Sequence, residues 1–205
     1  GAIRSVLDEQ RPKQGEGIRF LTESIISPSL GAQIKDLQTA FPKATWHQYD
    51  PANRDNARAG AIRAFGQPVN TTYRFDVAQR VLSLDCDFLS PTFPGYLRYS
   101  REFMAARQVT ESARDINRLY VVETTPSNTG AVADHAWQVK PSEFEAIATK
   151  LLKSVGAPGF VSDNPTEPQL PWAEAVAKDL LAHKGASIVL AGVGVRHSIA
   201  AKNLA

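Results

Sequence analysis

The sequence predicts an α/β fold, a three-layer Rossmann-like domain in which helices cover both faces of a mainly parallel sheet. Short apolar runs of strand length alternate along the chain with amphipathic stretches of helical length. Helices between consecutive strands allow the crossover connections that join parallel strands. With 205 residues, of which 43% are hydrophobic, the chain can bury one sizeable core, so we expect a single domain over residues 1–205.

The first half of the chain carries several local signals for helix starts and ends. Ser27-Pro28 and Asn53 are typical of helix N-termini, and Gly66 is typical of a helix C-terminus. Apolar periodicity between these signals separates helices from strands. The predicted elements are a helix over 2–13, a strand over 18–21, a helix over 27–41, a strand over 44–49, a helix over 53–65 and a strand over 81–84.

The second half continues this alternation. Its predicted elements are a helix over 95–107, a strand over 118–123, a helix over 141–155 that Gly156 ends, a helix over 171–183 and a strand over 187–191. Prolines and glycines cluster in the connections over 90–95 and 156–171. The longer connection has Phe160 and Trp172 as apolar anchors, so we expect it to contact another domain or subunit, and packing of this loop on its own core is the open alternative.

Composition excludes several classes of function. The chain has 23 basic and 21 acidic side chains, well interspersed, for a net charge of +2, which lacks the basic patch that nucleic-acid binding needs. No apolar run reaches about 18 residues, so we expect no direct membrane insertion. Cys86 is the only cysteine, which excludes an internal disulfide or a cysteine-ligated iron–sulfur cluster in these residues. The lone leading Gly1 and a short helical pattern over 198–204 lead us to expect a segment of a longer protein.

The strand predicted over 81–84 runs directly into Asp85 and Asp87, with no glycine between them. Ligands of open α/β sheets bind at the carboxyl ends of the strands, where glycine-rich turns let backbone N–H groups reach a phosphate. Two carboxylates there would repel a phosphate anion. Solvated turn residues or caps of the next helix are the favoured interpretation, and a divalent metal site or an interface contact stays open.

Candidates for ligand binding are sparse. Asn53 opens a predicted helix with Arg54 and Arg58, and this combination attracts anions. Gly192 and Gly194 follow the last predicted strand as two of the three glycines of a dinucleotide-binding turn. Simple capping is the favoured explanation of Asn53, and the third glycine of the turn is missing, so neither pattern by itself indicates a cofactor.

No catalytic residue is predicted. No serine stands in the Gly-x-Ser-x-Gly frame of a nucleophile elbow. Cys86 at a strand end is typical of a small buried hydrophobe rather than a nucleophile. Asp134 and His135 are adjacent, but neighbouring side chains of an extended chain point apart, which argues against a catalytic pair.

Several separate stretches together resemble a known protein family. They look like the molybdopterin-oxidoreductase-like region in the iron–sulfur subunit of alternative complex III, a membrane quinol oxidoreductase. The similarity covers nearly the whole chain. The stretches that carry it are residues 20–24 with Ser27-Pro28, residues 46–58, 82–89, 97–103, 117–123 and 129–135.

The resemblance implies a place in a respiratory complex. The complete subunit is similar to a fused molybdopterin enzyme and ferredoxin-like protein, with iron–sulfur clusters in a carboxyl-terminal region outside this segment. It lies on the outer, periplasmic face of the cytoplasmic membrane and passes electrons from quinol towards a cytochrome. The implied partners are the cluster-bearing domain of the same chain and the cytochrome and membrane subunits of the complex.

The resemblance also bears on the cofactor. Relatives that bind the pterin have a Gly-x-Asn turn after the strand that matches residues 81–84, whereas this chain has Asp85-Cys86-Asp87. A carboxylate facing the cofactor's pyrophosphate would be unfavourable, so no molybdopterin is expected. The resulting hypothesis is a non-catalytic scaffold domain. The alternatives are an oxidoreductase domain that still binds the pterin dinucleotide, and a nucleotide-binding module at Gly192 and Gly194.

Overall fold

The computed structural model describes residues 1–51, 54–109, 115–156 and 170–192. The chain divides into two compact units, residues 1–53 and residues 54–205. The single domain over 1–205 stays a prediction. Among the described residues, no helix combines the length and apolar character that a membrane span requires.

The first unit contains two helices and two parallel strands. These are α1 (Ala2–Gln10), β1 (Arg19–Thr22), α2 (Pro28–Ala40) and β2 (Thr45–Gln48). Helix α2 begins where the sequence predicts, because the Ser27 side chain accepts a hydrogen bond from the Leu30 N–H at 3.3 Å. Gly15, with a φ of +80°, lies against the buried Phe41, and a Cβ at Gly15 would approach the Phe41 Cβ to 2.6 Å.

The second unit contains a four-stranded sheet and its covering helices. Its strands are β3 (Arg80–Leu84), β4 (Arg118–Glu123), β5 (His135–Gln138) and β6 (Ser187–Ala191). Its helices are α3 (Asp55–Phe65), α4 (Tyr96–Ala105), the short α5 (Asn128–Ala131), α6 (Phe144–Ser154) and α7 (Pro171–Ala182). A 3₁₀ turn at Pro141–Glu143 precedes α6.

All four strands of this sheet are parallel, in the order β5-β4-β3-β6. Strand β3 is therefore central, with β4 on one side and β6 on the other. The chain moves outward from β3 to β4 and β5, and then returns to the opposite side of β3 as β6. The carboxyl ends of β3 and β6 consequently flank the point where the direction of strand addition reverses.

The sheet is covered on both faces, which confirms the predicted α/β fold. Side chains of β3 alternate, as the two-residue period of a strand requires. Leu82 and Leu84 belong to the core cluster that includes α6 and α7. Val81 belongs to a second cluster, on the side of α4, in which Phe75, Phe88 and Phe103 are fully buried. Phe75 and Phe88 stack there with ring centroids 4.6 Å apart.

Most predicted helix ends agree with the structure. Gly66 ends α3 with a φ of +74°, the left-handed conformation that glycine adopts at low cost. Helix α3 begins at Asp55 with Arg54 in the N-cap position and without a side-chain capping bond. The predicted N-cap Asn53 lies outside the described residues. The sequence prediction missed α5 and β5, which are both only four residues long.

A half-buried carboxylate joins the amino ends of β3 and β4 to helix α7. Asp179 Oδ2 accepts hydrogen bonds from Arg80 Nε and from the Tyr120 hydroxyl, both at 2.6 Å. Arg118 Nη1 lies 3.4 Å from the same oxygen. Burial raises the pKa of Asp179, but the bonds from Tyr120 and Arg80 outweigh burial and hold this pKa below its usual value.

This network predicts an acid-sensitive contribution to stability. Asp179→Asn removes the charge that Arg80 and Arg118 face, so we expect the free energy of unfolding in urea to fall by about 1.5–3 kcal/mol at pH 7. The pKa of Asp179 is lower in the folded chain than the unfolded value of about 3.9. The contribution of Asp179 to the free energy of unfolding is therefore fully present above the unfolded pKa, and it is lost as pH falls through the folded pKa. The difference between wild type and variant should therefore shrink between about pH 5 and pH 2.

Asp76→Asn is the matched control, since Asp76 pairs with Arg74 on the exposed surface. This variant should leave the unfolding midpoint near that of wild type. An Asp179→Asn difference that stays constant with pH would contradict the assignment.

Candidate functional site

The carboxyl edge of the sheet is built by close approach of β3, β4 and β6. The Asp85 N–H donates to the Val122 carbonyl at 2.7 Å, and the Gly192 N–H donates to the Leu84 carbonyl at 2.9 Å. Asp85 itself has a φ of +51°, a left-handed conformation in which Asp is enriched among non-glycine residues. The chain therefore turns sharply at the end of β3 while it stays bonded to both neighbouring strands.

Gly192 is required by this packing. A Cβ built at Gly192 would lie 1.7 Å from the Asp85 carbonyl oxygen, a distance that real atoms do not reach. Gly192 is also buried, so its Cα faces the main chain of Asp85. The glycine predicted as a cofactor-binding candidate thus has a structural role, and Gly194 lies outside the described residues.

Asp85 and Asp87 bind backbone groups of the segment that follows β4. Asp85 Oδ1 accepts from the Thr124 N–H at 3.1 Å. Asp87 Oδ1 accepts from the Thr129 N–H at 2.9 Å and from the Thr129 hydroxyl at 2.7 Å. Thr129 is fully buried near the start of α5, so Asp87 satisfies a helix N–H that has no partner within its own helix.

These contacts correct one part of the sequence interpretation. The two carboxylates do not cap the next helix, because α4 begins at Tyr96 with Gly95 in the N-cap position. They instead connect the end of β3 to the loop after β4. Cys86 between them is buried, as predicted, and Ser83 Oγ donates to the Cys86 carbonyl at 2.7 Å.

A buried carboxylate stabilises the same loop from the end of β4. Glu123 is only 4% exposed, and its Oε2 accepts from the Ser127 hydroxyl at 2.6 Å and from the Ser127 N–H at 3.2 Å. Gly130 leaves the room that this carboxylate occupies, since a Cβ there would lie 2.1 Å from Glu123 Oε1. Three acidic side chains thus hold one loop in place.

Other candidate groups are also used by the fold. In the described part of the chain, no cluster of three or more His, Cys, Asp or Glu side chains has the arrangement to hold a metal ion. Asp134 pairs with Arg107 through two bonds of 2.9 and 2.7 Å, whereas the neighbouring His135 stacks on Tyr120 with centroids 5.3 Å apart. The two side chains point apart, as the extended backbone predicts.

A cationic cleft opens beside this edge of the sheet. It has a volume of about 630 Å³ and lies within the second unit. Arg54 and Arg58 of the α3 region supply its charges, and Tyr73, Phe93 and Tyr99 supply aromatic rings. Ala191, the last residue of β6, also lines it. Sequence analysis identified Arg54 and Arg58 as anion candidates but not the rings, which come from two separate loops and α4.

An aromatic groove of about 470 Å³ lies at the opposite side of the unit, between strand β5 and helix α7. Tyr120, His135, Trp137 and Trp172 line this groove, with Trp137 and Trp172 stacked at a centroid distance of 4.3 Å. Arg118, Lys178 and Asp179 are the charged residues of the lining. Of the interface anchors expected from the sequence, Trp172 lies in this groove and Phe160 lies outside the described residues.

No family model matches this chain, and no curated protein matches it. The roles of these residues therefore rest on their geometry.

The bond between Asp87 and Thr129 predicts a difference between two substitutions. Asp87→Ala removes the acceptor of a buried N–H, so we expect the free energy of unfolding to fall by about 1–3 kcal/mol. Asp87→Asn keeps a carbonyl oxygen that can accept the same bond, and it should cost about 1 kcal/mol or less. Urea unfolding monitored by far-ultraviolet circular dichroism measures both effects.

Asp115→Ala serves as the control for removing an exposed carboxylate. Equal effects of Asp87→Ala and Asp87→Asn would show that the acceptor at this position does not stabilise the loop.

Proposed function

We propose that this chain is a non-catalytic scaffold domain in the iron–sulfur subunit of a membrane-associated respiratory oxidoreductase, which transfers electrons from quinol to a cytochrome. The observation that carries the proposal is the use of Asp85 and Asp87. Both carboxylates accept backbone hydrogen bonds from the loop after β4. Residues in that position of a pterin-binding relative would instead face the cofactor.

The resemblance of six stretches to alternative complex III supplies the rest of the proposal. Iron–sulfur clusters then belong to a carboxyl-terminal region of the complete subunit, on the outer, periplasmic face of the membrane. The domain's task is to hold the cluster-bearing region and the cytochrome and membrane subunits in register. Molybdopterin has no part in this function.

A scaffold needs a surface for its partners, and the aromatic groove has suitable properties. Aromatic side chains concentrate binding energy in protein interfaces. Trp137 and Trp172 are half-buried, so each retains surface that a partner can cover. Lys178 is exposed at the rim, while Asp179 is already bonded to Arg80 and Tyr120. The groove therefore presents excess positive charge to an acidic, apolar partner surface.

The first test of this proposal uses the assembled complex. Asp85→Asn together with Asp87→Asn keeps acceptor oxygens at both positions but removes both charges. If the domain is a scaffold, quinol-dependent cytochrome reduction should stay within about twofold of wild type, because no proton transfer runs through these groups. Elemental analysis of the same preparation should find no molybdenum bound to this domain.

A loss of turnover of about a hundredfold or more, in a variant that assembles normally, would instead assign acid–base or metal chemistry to these aspartates. Release of a pterin from the purified domain would favour the oxidoreductase alternative.

The second test concerns the groove. Lys178→Glu reverses one charge at the rim without touching the buried core, and we expect it to weaken association with the cluster-bearing region or cytochrome subunit by about tenfold. Lys184→Glu is the matched control, because Lys184 is also exposed but is not among the residues that line the groove. Co-purification from detergent extracts, titrated with salt, measures the difference. Equal behaviour of the two variants would place the partner surface elsewhere.

A further inference from the structure

The cationic cleft lies where open α/β sheets bind their ligands. Strand β3 has β4 on one side and β6 on the other. The chain first adds β4 and β5 on one side of β3 and later adds β6 on the opposite side. The crevice outside the carboxyl ends of strands at such a reversal is the general ligand site of this class of sheet. Ala191 at the end of β6 and Phe93 in the connection after β3 both line the cleft. Its volume of about 630 Å³ is within the range of small-molecule sites.

Two arginines give the cleft its charge. Arg54 and Arg58 are both exposed and lie one helical turn apart at the start of α3. The described residues that line the cleft include no carboxylate, and Asp85 and Asp87 are bonded to the loop after β4 instead. The guanidinium pair is therefore not neutralised by the cleft itself. Guanidinium groups bind phosphate oxygens through paired, charge-assisted hydrogen bonds, so two of them suit a doubly charged phosphate monoester.

Another part of the lining is aromatic. Tyr73 and Tyr99 meet edge to face with centroids 5.9 Å apart, and Phe93 lies 6.0 Å from Tyr99. Tyr99 is largely buried, while Tyr73 and Phe93 are half-buried and keep part of their surface free. Such rings supply a rigid apolar wall for a planar ligand group. Asn70 and Thr71 add exposed polar side chains to the lining.

Tyr73 and Arg54 are also coupled electrostatically. Burial raises the pKa of Tyr73 to about 12, and the charge of Arg54 acts in the opposite direction. The Tyr73 phenol therefore keeps its proton at neutral pH and adds no negative charge to the cleft. An anion in the cleft therefore meets a neutral phenol rather than a phenolate.

We propose that this cleft binds a small organic phosphate with a planar ring, of the nucleoside monophosphate class. Arg54 and Arg58 hold the phosphate, and the ring packs against Tyr73, Phe93 and Tyr99. This site differs from the glycine turn that the sequence suggested, because the main chain of Asp85 occupies the space beside Gly192. The inference does not depend on the scaffold function, because a bound ligand of this kind is compatible with either a structural or a regulatory role.

Calorimetric titration of the purified chain tests the proposal with three probes: AMP, ribose 5-phosphate and inorganic phosphate. We expect saturable binding of AMP, at least about tenfold tighter than binding of ribose 5-phosphate, because only AMP offers a ring to the aromatic wall. Arg58→Gln should weaken AMP binding at least tenfold. Arg101→Gln, an exposed arginine of α4 outside the cleft, should bind AMP like wild type.

Phe93→Leu separates the two halves of the site. It keeps an apolar side chain but removes the ring, so AMP affinity should fall several-fold while ribose 5-phosphate affinity is unchanged. Circular dichroism and thermal unfolding of each variant establish that the fold is retained.

Three outcomes would overturn the proposal. The first is no saturable AMP binding at about 1 mM. The second is equal affinity for all three probes, which would indicate a nonspecific electrostatic patch. The third is AMP binding that Arg58→Gln and Arg101→Gln weaken by the same factor.

Discussion

The structure of the second unit depends on the contact between the main chains of β6 and β3 at their carboxyl ends. Gly192 lies so close to the Asp85 carbonyl that no side chain fits between them. The same turn bonds Asp85 to Val122 of β4. Three parallel strands are thereby held at one point, and the loops that leave them start from fixed positions. The positions of the cleft and of the loop after β4, which three carboxylates hold in place, both follow from that arrangement.

The parts of the fold that local chemistry determines could be predicted from the sequence. The bounds of β4 and β6 match the predicted runs at 118–123 and 187–191, because continuous apolar segments of that length are typical of buried parallel strands. Helix α2 begins after its capping serine, and α3 ends at its glycine. Strand β5 has no such signature, since its residues are mostly exposed and it becomes a strand only through pairing with β4.

The candidate site shows the limit of sequence reasoning more clearly. The position of Cys86 at a strand end correctly predicted a buried side chain. The two aspartates were expected to be solvated or to cap the next helix, whereas both accept hydrogen bonds from the loop after β4. The partners of these carboxylates lie 39 and 42 residues further along the chain, where no local rule could identify them. The cleft was missed for the same reason, because its arginines and rings come from segments that only the folded chain brings together.

The position of β6 has a further consequence, for biosynthesis. Arg80 and Asp179 are in contact although 99 residues separate them, and β6 follows α7 in the chain. A ribosome releases β3, β4 and β5 long before it releases their last neighbour, at about 5–20 residues per second. During that interval one side of β3 is an unpaired, apolar edge, which is prone to aggregation or to capture by a chaperone. The nascent chain is therefore most vulnerable before its final strand emerges, and substitutions that slow the docking of β6 should reduce cellular yield more than they reduce equilibrium stability.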